Sequence, residues 1–318
     1  MQPEDNTARP AERIDQVRPI VLSGETDAGT DLVGAVVVDD FLILGADEGH
    51  QLQVLKRAEA PGTWHLQQKL ALAGQGRVTD IGAMGFGRGH LYIVCSHACQ
   101  RRRVCPEFTV RKNRQRLAQV DLESSRNRLY RMSFDPKSGK IGKVRFVDLS
   151  KRLRKDRFLK PFFGVPSREN GIEFGGMTFA GGRLHLGFRG PILRDNHVPV
   201  MVLDYEQPKD HALLFVRLDG QAIRDLAALK HGFLILSCPA NDAPGAYCLW
   251  WWDGADQVAG KGRKVREAVL LGAVSTPGGA RAMGLALRRQ TDSYADVILV
   301  YETETAAQVV SMRVQLPD

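Results

Sequence analysis

The sequence predicts an all-β chain folded as a single-domain β-propeller of five four-stranded blades, and three observations predict it. One strand pattern recurs five times, its spacing is that of a blade, and the flanking strands complete five sheets with none left over. The copies read VGAVVVDDFLILGADEG (33–49), GAMGFGRGHLYIVCSH (82–97), GGMTFAGGRLHLGFRGP (175–191), RDLAALKHGFLILSCPA (224–240) and MGLALRRQTDSYADVILVYE (283–302). Each is a small-residue apolar run, a polar turn and a β-rich run, which is a hairpin pattern. Aligned on Val33, Gly82, Gly175, Arg224 and Met283, they stand 49, 93, 49 and 59 residues apart. A period of about 40–50 residues with several strands per unit is that of propeller blades. Two stacked β-sandwiches would also use short strands, but would not repeat in register along the whole chain.

The elements follow in order. Residues 1–15 are polar and are expected to be flexible, with the propeller occupying 16–318. HQLQVLKR (50–57) and WHLQQKLAL (64–72) complete the first blade. The long second step has room for a sixth blade. After Cys95, however, the chain supplies only the two outer strands that blade lacks, RLYRMSF (128–134) and KVRFVDL (143–149). The intervening stretch, about 98–127, therefore reads as a basic loop inserted in blade 2, and SKRLRKDRFLKPFF (150–163) as a short basic helix. VPVMVLDY (198–205) and HALLFVRLD (211–219) complete the third blade, AYCLWWWDG (246–254) and KVREAVLLG (264–272) the fourth. The fifth has only QVVSMRVQL (308–316), and its missing outer strand stands at the other terminus in QVRPIVLSG (16–24). Such a strand closes the ring and removes an open edge.

Composition agrees with a globular protein: 43% hydrophobic and 25% charged residues, with 32 glycines to serve many tight turns. The longest apolar runs are far too short to span a bilayer and the N-terminus lacks a secretory apolar core, so a cytoplasmic protein without membrane contact is expected. Five unevenly placed cysteines argue against a disulfide framework. The net charge of +8 is unevenly spread. Residues 101–160 carry 20 Lys or Arg against 6 Asp or Glu, so the remainder is mildly acidic.

The phrases GAVVVDDFLILGADEG, GHLYIVCSH, GGRLHLGFRGP and IRDLAALKHGFLILSCPA resemble the repeated signatures of the bacterial family named domain of unknown function 3616, itself similar to the esterase-like domain associated with phytases. The resemblance implies a propeller and brings no activity with it. It also implies an isoleucine–glutamate–glycine–leucine run opening several repeats, with acidic groups near the central channel. Here Gly82 and Gly175 stand at the acidic positions, and Arg224 and Met283 at the matching places of later repeats. That departure counts against metal-dependent hydrolysis. Glu173, just ahead of its run, is expected to point to the opposite face.

Loops after the second strand of each blade tend to meet around one channel mouth. Asp47, Glu48, His97 and Arg189 fall there, and Arg224 and Asp225 open the fourth repeat close by. An enzymatic reading makes His97 a general base oriented by Asp47 or Glu48, with Arg189 and Arg224 holding a phosphate or carboxylate, since guanidinium presents a two-pronged fork to such groups. The structural reading, preferred, makes Arg189 and Asp225 buried pair-formers joining blades. Cys95, His97, Cys99 and Cys105 lie within eleven residues, but lack the paired spacing of common zinc sites, so no metal is expected. No glycine-rich phosphate loop joins a strand to a helix, and no cofactor is expected. Arg101, Arg102, Arg103, Arg111, Lys112, Lys151, Arg152, Arg154 and Lys155 offer a basic surface for an acidic protein or a phosphate backbone. The sequence therefore leans to a non-enzymatic binding scaffold that engages a protein partner through its rim or basic insertion. A channel-mouth ester hydrolase and a nucleic-acid binder are the alternatives.

Overall fold

A computed structural model describes residues 13–26, 32–46, 51–72, 80–303 and 308–317. Five four-stranded antiparallel blades follow one another along the chain. Blade 1 comprises Leu32–Val38, Phe41–Ala46, Gln51–Arg57 and Thr63–Ala71. Blade 2 comprises Ile81–Gly87, His90–Cys95, Arg128–Phe134 and Ile141–Asp148. Blade 3 comprises Glu173–Ala180, Arg183–Gly190, His197–Leu203 and Ala212–Arg217. Blade 4 comprises Ala222–Ala228, Phe233–Cys238, Tyr247–Trp252 and Val269–Val274. Blade 5 comprises Arg281–Gln290, Tyr294–Glu302 and Gln308–Gln315, with Ile14–Pro19 as its outer strand. The inner strands touch in succession and the fifth returns to the first, which closes the ring.

The N-terminal segment does more than the expected closure. Its first strand starts at Ile14 and runs antiparallel to the last, with Ile14 opposite Val314 and Pro19 opposite Val310. The chain then crosses between blades: Ile20 N–H bonds Val309 at 2.8 Å and Val21 N–H bonds Gly62 at 2.9 Å. Val21–Ser23 next lies parallel to Thr63–His65, as a fifth strand on blade 1. One stretch thus ties the last blade to the first.

A local irregularity shared by all five blades positions the candidate site. In each, the inner strand holds one extra residue against the second strand, and those residues are Val33, Gly82, Gly175, Arg224 and Met283. The positions on which the repeats align are therefore β-bulges, which turn a side chain out of the regular alternation. At two of them the residue must be glycine. A Cβ on Gly175 would stand 2.3 Å from the Ile223 carbonyl oxygen, and one on Gly82 would stand 2.7 Å from that of Phe174. Blade-to-blade approach at the axis is too close there for a side chain.

Asp225, next to the bulge of blade 4, points into the ring and is fully buried. Its carboxylate accepts N–H bonds from Leu226 at 2.8 Å, Met177 at 3.4 Å and Leu285 at 2.7 Å, which joins blades 3, 4 and 5. Expected to join blades as a buried pair-former, Asp225 bridges them through main-chain donors instead. Burial pushes its carboxyl up to about 8, against those three donors. Hydrophobic clusters fill the spaces between adjacent blades, as the apolar second strands such as Phe41–Ala46 require.

Two expectations need correction. The stretch 98–127 is not a plain loop: Gln100–Arg101 pairs with Val120–Asp121 around a helix, α1, Val110–Leu117. Thr109 caps α1 by accepting the Lys112 N–H at 3.2 Å. The helix expected over 150–163 is shorter, α2 spanning Ser150–Lys155. Asp156 takes an extended conformation, and its Oδ1 accepts the N–H groups of Phe158 and Leu159, so the chain restarts as a turn. The tryptophans of Tyr247–Trp252 are all buried, each indole N–H is bonded, and Arg266 covers the ring of Trp251 at 4.4 Å. Among the described residues, no helix is long and apolar enough to cross a membrane.

Candidate anion site at the channel mouth

Where the second strands end and the inner strands begin, blades 3, 4 and 5 enclose a cavity of about 250 Å³. Its wall includes Arg189, Arg224, Cys238, Tyr247, Thr276 and Arg281. Both arginines expected at the mouth are there because of bulges. Arg224 is the extra residue of the inner strand of blade 4, and Arg189 is the extra residue of the second strand of blade 3, between Phe188 and Gly190. Neither follows the strand alternation that would have turned it into the core.

The three guanidiniums differ in their surroundings. Arg189 donates to Glu173 Oε1 at 2.8 Å, and Arg281 donates to Glu302 Oε1 at 2.5 Å. Burial works against the Arg189 charge, but Glu173 and Cys238 together outweigh it and hold the group protonated. Arg224 is only 7% exposed, and its one hydrogen bond among the described residues goes to Met283 Sδ at 3.1 Å. Burial, then the Arg189 charge, disfavours its protonated form. A guanidinium stays charged in proteins, so this one is a buried cation with no carboxylate in an ion pair with it among the described residues, and Glu173, Asp80 and Asp225 act on it only from further away. Arg168 adds to the positive field, since burial and the charges of Arg103, Arg189 and Arg281 all act against its own.

Acidic groups reach the same end of the channel by a route the sequence reading rejected. Glu173 faces the mouth and pairs with Arg189, rather than pointing away. The reason is parity: it stands two residues before Gly175, and the register slips at Phe174. Asp80 takes the equivalent place in blade 2. Its Oδ2 accepts from Ser96 Oγ at 2.6 Å and lies 3.5 Å from Arg126. Burial raises the Asp80 pKa, and Ser96 and Arg126 oppose that. Glycine at 82 and 175 thus removes two acids from the bulges, while Asp80 and Glu173 return two just upstream.

His97 is not placed as a general base for this cavity. It is buried, absent from the cavity wall, and packed edge-on against Phe174 with ring centres 4.9 Å apart. Nδ1 bonds the Cys95 carbonyl at 2.8 Å, while buried Nε2 makes no full hydrogen bond among the described residues. Burial lowers its pKa to about 4, so the ring is neutral. Asp47 and Glu48, proposed to orient it, lie outside the described residues. Cys95, His97, Cys99 and Cys105 are not gathered into a metal site: among the described residues no three His, Cys, Asp or Glu side chains are so grouped. The Cys105 thiol instead meets Glu107.

The basic residues divide into two groups. Arg101 grips Glu169 with both prongs and so fastens the insertion to the molecule, while Arg102 grips Asp121 within the insertion and braces its two-stranded ribbon. Arg103, Arg111 and Lys112 are exposed, the last with its ammonium 3.6 Å from the Phe108 ring. In α2, Lys151, Arg154 and Lys155 are exposed and Arg152 is half-buried. The Arg154 guanidinium lies over Phe163 at 4.5 Å. Arg281, Glu173, Asp80 and Tyr247 were not singled out as binding residues from sequence. The strand ends they share with Arg189 and Arg224 were the signal for them.

Comparison with solved structures finds similarities at low identity. Glutaminyl cyclase of Myxococcus xanthus is 10% identical, with 96% of this chain and 97% of that one covered and a TM-score of 0.49. The PQQ-bound aldose sugar dehydrogenase of Streptomyces coelicolor is 12% identical, with 96% and 99% covered and a TM-score of 0.46. Exo-β-1,3-galactanase of Phanerochaete chrysosporium is 6% identical, with 92% and 62% covered and a TM-score of 0.49. Comparison with curated proteins finds no match. The family comparison is decisive for kinship: residues 31–146 and 137–317 match a single model, so the chain belongs to the family described as Protein of unknown function (DUF3616).

Proposed function

We propose that the protein is a binding propeller whose channel mouth receives a small anion, a phosphate or carboxylate carried by a larger molecule. The observation that carries this is Arg224, a buried guanidinium on the cavity wall whose one hydrogen-bond partner among the described residues is a thioether. Arg189 and Arg281 on the same wall are each ion-paired with a glutamate, whereas among the described residues Arg224 has no carboxylate in an ion pair with it. An arriving anion supplies the missing charge in a site sheltered from water, where charge-assisted bonds are strong. Without a histidine on the wall, the geometry favours binding over ester hydrolysis.

The test is thermal unfolding and calorimetry with inorganic phosphate, phenyl phosphate, succinate and citrate, using chloride as the reference. A ligand at 100 times its Kd stabilises by about 2.7 kcal/mol, which raises Tm by several degrees. Arg224→Met keeps the chain length and removes the buried charge; it is expected to abolish the shift without lowering the ligand-free Tm. No response to any anion, or an undiminished response in the variant, defeats the reading.

A second reading rests on α1. This helix buries no residue, carries Arg111, Lys112, Arg114 and Arg116, and exposes Val110 to 71%. A protruding basic and apolar surface of this kind suits an acidic protein partner.

A further inference from the structure

A second basic site stands on the outer rim, independent of the channel mouth. The turn after α2 and the connection between the last two strands of blade 3 enclose a groove of about 590 Å³. Arg152, Lys155, Arg157 and Lys209 line it, with Phe158 and Leu213 among them. From these residues we propose that the groove binds an acidic peptide segment of another protein, seated by its carboxylates on the four cations.

The argument begins with how the groove is built. Leu153 and Leu159 are fully buried and anchor the turn. Among the described residues Asp156 is the one acid on the wall. Oδ1 accepts from Phe158 N–H at 2.8 Å and Leu159 N–H at 3.0 Å, and Oδ2 meets His211 Nε2 at 3.1 Å. It holds the turn against blade 3, forms no ion pair with the four cations, and leaves them in excess of it by three charges. Arg152 and Lys155 stand three residues apart on α2 and so share one helix face.

Charge accounting then separates this group from the other basic residues. Arg101, Arg102, Arg126 and Arg131 pair with Glu169, Asp121, Asp80 and Glu206. Among the described residues, no ion pair engages Arg152, Lys155, Arg157 or Lys209. Four cations in one concavity repel each other, and a partner's carboxylates relieve that.

The same surroundings favour peptide over nucleic acid. Phe158, 39% exposed, is the ring a base would stack on, but Arg157 lies over it at 4.7 Å and Phe215 meets it edge-on. The cations surround one pocket instead of tracing a line of phosphates. Recognition must come from side chains, because strand addition is blocked. Along the outer strand of blade 3, Phe215 N–H is taken by Asp256 and Arg217 N–H by Gln257.

Fluorescence anisotropy with dye-labelled decapeptides tests this. One probe is rich in Asp and Glu around a single Leu, a second replaces every acid by Asn or Gln, and a third is a single-stranded oligonucleotide. The intact protein is expected to bind the acidic peptide at least 10-fold more tightly than the neutral one, with affinity falling as salt rises. Arg152→Gln, Lys155→Gln, Arg157→Gln and Lys209→Gln combined should remove that preference, whereas Lys112→Gln with Arg114→Gln on α1 should keep it. Lys209→Glu alone, on an exposed connection, should weaken binding several-fold and guards against misfolding of the quadruple variant. Equal binding of the two peptides, equal loss in the α1 variant, or tighter binding of the oligonucleotide through the same four residues would overturn the proposal. The Arg224→Met protein should bind the acidic peptide normally, so this result and that of the channel-mouth experiment are read separately.

Discussion

At the scale of single residues, His97 shows how burial reverses an expected role. A histidine beside a channel mouth reads as an acid–base group, yet this ring is held neutral in an apolar pocket beside Phe174. Its contribution to stability has a definite sign. The folded value of about 4 lies below the ordinary 6.5, so on acidification the unfolded chain takes up the proton first. The contribution is therefore complete above about pH 6.5 and is lost as pH falls toward 4. Between pH 7 and pH 5 the loss is about 2 kcal/mol. Asp225, whose burial raises its pKa, acts in the opposite direction, so the effect must be read as a difference between proteins. His97→Asn suits the left-handed backbone there, φ 58°, and carries no titratable ring. Urea unfolding at the two pH values should show the variant losing about 2 kcal/mol less than the parent. Identical pH dependence would mean that His97 takes up its proton alike in the folded and unfolded states, and that burial does not depress it.

At the scale of elements, strands were legible and their irregularities were not. Period-two runs marked nearly every strand, since each buries side chains on a pleated surface. The repeat anchors could be aligned from Gly82, Gly175 and Arg224, but only pairing reveals them as bulges, because a bulge depends on the partner strand. That is why Arg189 and Arg224 were found while Glu173 was discarded. The helices failed for another reason: the basic run 150–163 lacks an internal breaker before Pro161, and Asp156 ends α2 through side-chain bonds that composition does not foretell. The insertion follows the same lesson. Arg101 belongs to its fastening and Arg102 to its internal bracing, so partner binding through α1 must be tested with them intact. Charge-neutral substitutions at Arg103, Arg111, Lys112, Arg114 and Arg116 should release a protein captured stoichiometrically from the host extract. Retention of the same partner by that variant removes α1 from consideration.

At the scale of the whole molecule, the ring is closed by a segment far from the C-terminal strands in sequence. Ile14–Pro19 completes blade 5 and Val21–Ser23 edges blade 1, so the joint between the last and first blades rests on about ten residues. Closure of a propeller removes the exposed strand edge that a ring opened at that joint would present. Shortening the chain to begin at residue 25 leaves Gln308–Gln315 as an unpaired edge and uncovers Val309, Met312 and Val314, all buried in the intact molecule. The shortened protein is expected to melt well below the parent and to associate through that edge, seen as concentration-dependent light scattering. Blades 1 to 4 keep their internal pairings, so the loss should begin in blade 5, and amide exchange should accelerate first along Tyr294–Glu302 and Gln308–Gln315. A synthetic peptide of residues 13–24 supplies the missing strand in trans and should restore both the melting temperature and slow exchange, saturating at one peptide per chain. Unchanged melting on shortening would mean that the blade-to-blade packing of the inner strands holds the ring closed without the terminal strand.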